Sequence, residues 1–343
     1  MKNTVFFVLI FLFFLTNINA QDNDKKKEKD KIEFSGYGTG GYTFYNKNIL
    51  NGYNQEAFYE GKVQLDIEFN KRIEGQLDFR GNSLDNAVKL KEFSIKLKIS
   101  DKFRLQFGNI KKPFGYEYLI SDEDLISINR SYLQEAVAEL GYGGRSLSLM
   151  AFYKYNDKEP EFPFSYNFSV FKDNSLFAGA VARIKYHIGN YGIGATYEYE
   201  NKGGENKISA NGFGLHGFYE SHDLNAMTEI FYVQDPFESI RQRLMDKDET
   251  IYGFGAKIFT SFFFDYDYDF MKGLEPFLLS TFYISNTTIS GNNVIQFVTG
   301  INYYLHKDVR LRLNGDLRLT KNQFNKEHTT NDSRVILELQ MRY

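Results

Sequence analysis

Apolar and polar residues alternate with a period of two along most of the chain from Glu33 onward. Between residues 59 and 80, apolar side chains and glycines alternate with charged or amide side chains, and residues 309–319 repeat the pattern with arginines on the polar face. Successive side chains of a β-strand point to opposite faces. The pattern therefore predicts long strands with one apolar and one charged face. Only a short turn within residues 122–139 indicates helix.

The predicted strands are joined by connections of two kinds. Short connections lie at residues 70–72, 100–102, 189–190, 221–223 and 306–308, and long ones at 46–55, 111–143, 234–249 and 321–333. The two kinds largely alternate, as they do in an up-and-down barrel with short turns at one rim and long loops at the other. We count about 16 strands. A short outer loop at 173–176 and a long inner connection at 156–164 break the rule, so counts of about 14 or 18 stay open.

Two architectures share a period of two, a soluble β-sandwich and a membrane barrel. The predicted strands are longer than the usual five or six residues and match the tilted strand of about 9–11 residues that crosses a bilayer. In the final strand, Arg334 to Tyr343, alternate residues share one apolar face that ends on an aromatic side chain, similar to the signal read by outer-membrane assembly machinery. We therefore predict an all-β fold, a transmembrane antiparallel up-and-down β-barrel spanning residues 33–343, over a soluble secreted protein.

The first 32 residues predict export. Lys2 precedes an unbroken apolar run from Val5 to Leu15, and Ala20 before Gln21 is typical of a cleavage site, so residues 1–20 are predicted to be a signal peptide. An uncleaved anchor is the alternative, but the run is shorter than the roughly 20 residues of a spanning helix. Residues 21–32 are a charge run that cannot bury a core, and we expect a disordered tail there.

Composition excludes several classes of function. With 41 Lys and Arg against 44 Asp and Glu, the chain lacks the basic excess of a nucleic-acid binder. It has no Cys and five scattered His, which excludes thiolate metal sites and disfavours a structural zinc site. We expect no cofactor. Trp is absent, so Tyr and Phe must form the aromatic girdles of a membrane barrel.

Motifs for catalysis are weak. Two G-x-G-x-x-G patterns begin at Gly36 and Gly212, but both lie inside predicted strands and neither opens a helix, as a dinucleotide site requires. There is no G-x-S-x-G and no H-E-x-x-H motif. His216 and His222 lie on a strand and in its following turn, so they would not face each other. We therefore predict that the protein is not an enzyme, although enzymes do occur among outer-membrane barrels.

Residues 103–131 start as a strand and continue into a long connection that has no strand pattern. Connections of this length inside β proteins are usually functional. The segment resembles a motif of the phosphate-selective porin O and P family, carried by Gly108, Lys111, Pro113, Phe114, Glu117, Ser121, Asp124, Leu125, Arg130 and Ser131. The hairpin from Gly300 to Leu311 is similar to one in the same family. The resemblance implies a third external loop that folds into the barrel and narrows it, and a homotrimer.

Charged strand faces would line the lumen of such a barrel and set its ion selectivity. Strand positions of both signs are candidates: Arg318, Glu60, Asp66, Glu68, Glu74, Asp78 and Asp316 among others. The pore-lining and constriction candidates are Lys96, Lys98, Arg104, Lys111, Lys112, Asp122, Glu123, Asp124, Arg130, Arg310 and Arg312. Phosphate-selective family members have an arginine ladder, for which Arg104, Arg310 and Arg312 are candidates here.

The acidic cluster Asp122, Glu123, Asp124 lacks the spacing of a calcium loop. It is either a solvated loop face or a negative wall at the constriction. Because both signs are present, we expect at most a moderate anion preference. The predicted function is that of a porin embedded in outer-membrane lipid. Small hydrophilic solutes, including anions such as phosphate, would diffuse passively through its pore. The alternative is a plugged structural or adhesive barrel that binds a partner through its external loops.

Overall fold

The computed structural model describes residues 31–46, 55–83, 87–156, 162–172, 177–202, 208–247, 249–289, 291–322, 325–329 and 333–343. The predicted signal peptide and almost all of the predicted tail lie outside these residues. The described strands are β1 Lys31–Tyr45, β2 Gln55–Asn70, β3 Ile73–Asn82, β4 Ala87–Ser100, β5 Phe103–Lys111, β6 Arg145–Tyr153, β7 Phe164–Lys172, β8 Phe177–Ile188, β9 Tyr191–Lys202, β10 Ile208–Glu220, β11 Leu224–Gln234, β12 Tyr252–Phe262, β13 Phe264–Tyr268, β14 Met271–Ile284, β15 Asn293–His306, β16 Val309–Asn322, β17 Asn325–Thr329 and β18 Arg334–Arg342. Two α-helices are described, α1 Tyr132–Glu139 and α2 Pro236–Leu244.

The strands form one closed antiparallel sheet. Except at two interruptions, each strand pairs with its neighbour along the chain, and β18 pairs with β1 from Tyr37↔Arg342 to Tyr45↔Arg334. β12 and β13 are separated only at Phe263 and both pair with β14, while β17 and β18 both pair with β16. Each of these pairs forms one strand of the wall, which gives a 16-stranded barrel. The predicted fold class and the preferred strand count are confirmed.

The two faces of the wall differ as the alternation predicts. In β18, Val335, Leu339 and Met341 are 46%, 47% and 57% exposed on the outer face, whereas Glu338 and Gln340 are buried inside. Outward aromatic pairs lie toward both rims. Tyr191 packs against Tyr219 beside the turn between β8 and β9. At the opposite rim Tyr232 stacks on Tyr252 at 4.8 Å. Tyr rings thus occupy positions at both ends of the apolar outer surface.

The connections reproduce the predicted asymmetry. The short turns after β2, β4, β8, β10 and β15 lie at one rim, together with a further turn at residues 269–270 that sequence reasoning missed. Of the predicted long outer loops, 234–249 contains α2, whose first backbone N–H groups are capped by Asp235, and 321–333 contains β17. The short loop at 173–176, and most of 46–55 and 156–164, lie outside the described residues. β1 begins at Lys31 rather than Glu33.

The third external connection, residues 112–144, folds back into the barrel and is called the inward loop below. It contains two short 3-10 turns, Glu117–Leu119 and Asp122–Asp124, followed by α1. Leu133 and Val137 of α1 are fully buried against Phe231 and Tyr283 of the wall. The apolar core of the molecule therefore lies inside the lumen, between this loop and strands β7 to β14. Within the described part of the chain, no helix has the length and apolar character needed to cross a membrane.

Candidate functional site

Lys112 fixes the start of the inward loop to β9. Its ammonium group lies 2.8 Å from Glu200 and also contacts Glu198. The backbone N–H of Gly143, at the end of the loop, donates to Glu198 at 3.0 Å. Burial alone would lower the pKa of Lys112, but the two carboxylates raise it above its usual range. Lys112, predicted to line the pore, therefore joins both ends of the loop to the wall.

A second anchor lies at Lys257, which is fully buried on β12. Its ammonium group lies 2.7 Å from Glu117 of the loop and also contacts Glu229 of β11. Glu117 accepts a hydrogen bond from the backbone N–H of Ser131 at 2.9 Å, which connects the first 3-10 turn to the cap of α1. Burial would raise the pKa of Glu117, but Lys257 lowers it. One ammonium group thus neutralises two buried carboxylates.

The third anchor uses Arg310 and Arg312 on β16. Arg310 donates to the carbonyl oxygen of Leu125 at 2.8 Å, and Arg312 donates to the same oxygen at 3.0 Å. Arg312 also donates to Glu338 at 2.7 Å. Both arginines point into the lumen, but their guanidinium groups bind the loop. Arg104 lies on β5, which is not adjacent to β16 in the sheet, so the three arginines do not form a single column.

The acidic cluster of the loop is paired with cations. Asp122 contacts both Arg80 and Arg130, while the other two acids form pairs with wall residues: Glu123 with Lys62 at 2.7 Å and Asp124 with Arg342 at 3.0 Å. Burial would raise the pKa of Asp122, but Arg130 and Arg80 lower it well below its usual range. The cluster is neither an unpaired negative wall nor a wholly solvated face, because each carboxylate is matched by a basic side chain.

Open space remains between the inward loop and the opposite wall, β3 to β8. Three cavities of about 260, 210 and 560 Å³ share Lys111 as a lining residue. Lys111 donates to the carbonyl oxygens of Tyr118 and Ile120, each at 3.2 Å. Arg80 and Arg145 line the first two cavities, and their further basic lining residues are Lys62, Lys89, Lys91 and Arg130. This chain of cavities is the candidate solute pathway.

The remaining sequence candidates lie at different points of this pathway. Lys96 and Arg104 line the largest cavity. Lys98 lies next to the turn between β4 and β5, where it pairs with Asp101 at 2.7 Å, and it does not line the three cavities described above. The structure thus brings together Lys96, Arg104 and Lys111 and places Arg310 and Arg312 in the loop anchor.

Sequence reasoning missed most of the wall residues that hold the loop: Glu198, Glu200, Glu229 and Lys257. It also missed Arg183 and Lys185, which line the largest cavity. A signal existed for Lys257, because it is the only charged residue of β12. On a strand with an apolar outer face, a lone inward charge indicates a buried partner.

Residues 58–207 match the family model described as phosphate-selective porin O and P. The resemblance seen in the sequence is confirmed. No curated protein matches the chain by sequence. The match to the porin family model over residues 58–207 and the barrel together favour a passive-diffusion channel of the bacterial outer membrane over an enzyme.

Solved structures of porins share the fold. The outer membrane channel DcaP of Acinetobacter baumannii aligns with a TM-score of 0.67 and 11% identity, covering 94% of this chain and 100% of that chain. OmpF of Salmonella typhi aligns with a TM-score of 0.66 and 10% identity, covering 92% and 98%. An anion-selective porin from Comamonas acidovorans aligns with a TM-score of 0.62 and 10% identity, covering 92% and 100%. At these identities the likeness extends to the fold alone.

Proposed function

We propose that the protein is an outer-membrane porin whose pathway favours small hydrophilic anions, phosphate among them. The observation that carries this proposal is the chain of three cavities that share Lys111. Basic residues outnumber acidic ones along their walls, and the acidic cluster of the loop is paired with arginines and a lysine. Fixed charges that face a water-filled passage attract ions of opposite sign.

The proposal implies a moderate preference, not strict phosphate selection. The pathway also carries Glu60, Glu74, Asp78 and Glu92, and Glu92 lies 3.3 Å from Arg145. The guanidinium groups of Arg310 and Arg312 already bind the loop. They therefore have no free pair of N–H donors for a phosphate group. Phosphate would compete with chloride mainly through charge.

The test is the reversal potential of the purified protein in a planar bilayer under a KCl gradient. We expect a potential of the sign given by chloride permeation. Two unit charges about 8 Å apart in water interact with an energy of about 0.5 kcal/mol. Replacing Lys96 and Arg104 by Gln should therefore lower the chloride-to-potassium permeability ratio roughly twofold for each charge removed. Lys272→Gln is the matched control, since Lys272 is an exposed side chain that pairs with Asp267 at 3.2 Å. Cation preference in the wild type would contradict the anion proposal.

A plugged barrel is the second candidate, because the inward loop fills one half of the lumen. Channel measurements separate the two candidates directly. A plugged barrel would give no current at any salt concentration, whereas the open cavities along β3 to β8 predict steady conductance. Lack of current in several independent preparations would remove the porin proposal in favour of binding through the external loops.

We further propose that the protein is exported through a cleaved signal peptide, residues 1–20, and works as a homotrimer in the outer-membrane lipid. The family resemblance supports the homotrimer. Mass spectrometry of the mature protein should find Gln21 at the N-terminus, and native mass spectrometry in detergent should find three copies. A protein that retains Lys2, or a stable monomer, would contradict the respective part of this proposal.

A further inference from the structure

The largest of the three cavities, about 560 Å³, has lining residues of two chemical kinds. Some are cations, among them Arg104, Arg183 and Lys185. Others are apolar, namely Leu119 of the inward loop and Met150 and Phe152 of β6. An inorganic ion gains nothing from the apolar side chains, whereas a solute with an apolar body removes surface from water when it contacts them.

The cations Arg183 and Lys185 are positioned by an aromatic ring. Each lies 5.5 Å from the ring centroid of Tyr116, at the start of the inward loop, and Lys185 also lies 5.2 Å from the ring of Phe218. Aromatic rings attract cations through their negative faces. They carry no net charge, however, so the charges of Arg183 and Lys185 are not cancelled as they would be by carboxylates.

Arg183 has unused capacity to bind an anion. Its side chain is 93% buried, since only 7% is exposed. Its Nε atom has no hydrogen-bond partner among the described residues, and one terminal nitrogen lies 3.4 Å from His216. Within the described part of the chain, Arg183 and Lys185 form no ion pair with an acidic residue, in contrast to Arg312 of the loop anchor, which pairs with Glu338. A buried cation without a partner is costly, and an anion in the cavity would offset that cost.

We propose that this cavity is a binding site for organic anions that have an apolar, planar body, such as aromatic carboxylates. Arg183 and Lys185 bind the carboxylate, while Leu119, Met150 and Phe152 contact the body. This inference rests on the proposed porin function and goes beyond it, because it names a class of solute for which the pathway has affinity. Solutes of this class are retained in passage, whereas small ions pass without pausing.

The test measures block of the KCl current of the full-length protein in planar bilayers. Sodium benzoate, sodium acetate and sodium phosphate are added separately at equal ionic strength. We expect benzoate to half-block the current at a concentration about tenfold lower than acetate or phosphate. Equal potency of benzoate and acetate, or stronger block by phosphate, would overturn the inference while leaving the porin function intact. A protein without KCl conductance would overturn both.

Two sets of variants separate the cationic from the apolar lining residues. Replacing Arg183 and Lys185 by Gln should weaken block by benzoate and by acetate, each about tenfold or more. Phe152→Ser should weaken benzoate block alone and bring it close to that of acetate, and Leu119→Ser, on a different element, should do the same. Lys272→Gln is the control and should leave all half-blocking concentrations unchanged. Unchanged benzoate block in both Phe152→Ser and Leu119→Ser would refute the contact between the apolar lining residues and the solute.

Discussion

The inward loop depends on a few buried charged residues, and Lys257 is the most demanding of them. Its ammonium group is fully buried between Glu117 and Glu229. Moving charged groups out of water costs free energy. The attraction between the paired charges offsets this cost only while each charged group keeps its partners. Removal of the lysine would leave two buried carboxylates facing each other without a cation.

We predict that Lys257→Met releases the inward loop. Breaking one buried ion pair costs about 3–5 kcal/mol. Limited proteolysis should cut the loop faster, and single-channel currents should become noisier. Lys272→Met, at an exposed lysine, should change neither. If Lys257→Met combined with Glu117→Gln and Glu229→Gln is as unstable as the single variant, unpaired charge is not the cause.

A pH prediction follows from Asp122. Its pKa is lowered by Arg130 and Arg80, even though burial acts in the opposite direction. A carboxylate with a lowered pKa in the folded state adds stability that is present above the unfolded value, about 3.9, and is lost as the pH falls through the folded value. The loop should therefore stay anchored as the pH falls past 4, and loosen only in stronger acid.

Conductance recorded from neutral pH down to about pH 3 should accordingly stay steady in the wild type through the usual range of Asp titration. Asp122→Asn should behave at neutral pH as the wild type does in strong acid. Asp124→Asn is the comparison variant, because Asp124 pairs with Arg342 at 3.0 Å with a more exposed carboxylate. A wild-type transition close to pH 4 would show that Arg80 and Arg130 do not protect Asp122.

At the scale of elements, two glycines of β1 have opposite requirements for space. A Cβ atom at Gly41 would overlap the carbonyl oxygen of Leu337 on β18, whereas one at Gly38 would meet nothing within 4 Å. Overpacking of this kind typically costs about 1–3 kcal/mol. Gly41→Ala should lower the melting temperature of the barrel in detergent, and Gly38→Ala should not. Equal melting temperatures of the two variants would contradict the close approach of β1 and β18.

The elements were largely predictable from the sequence. The alternation along β2, β3, β16 and β18 predicts which residues lie on the apolar face and which on the charged face, because a strand has a strict period of two. The interruption at Phe263 was not predictable, since the alternation around it continues on both sides. Ion pairs such as that of Lys112 with Glu200 could not be predicted either. They join residues far apart in the chain, and their proximity depends on how the loop crosses the lumen.

For the whole molecule, the decisive property is that the loop fills only one side of the barrel. Replacing residues 116–139 by a short Gly-Ser linker should leave the sheet intact, because the wall is paired strand to strand without the loop. Single-channel conductance should rise several-fold, since a barrel of this strand number otherwise encloses an aqueous channel. Folded protein with unchanged conductance would show that the loop does not narrow the pathway.

The uneven lumen divides the inner wall into two regions under different selective constraints. On the side of β9 to β16, inward residues support the loop. Substitutions there act first on the stability of the folded protein. On the side of β3 to β8, most inward residues face the solute. Apart from Arg80, which pairs with Asp122 of the loop, their substitution changes transport and leaves the loop anchors described above in place. Distant sites contribute almost independently to stability. New solute preferences can therefore evolve along one wall without threatening the integrity of the barrel.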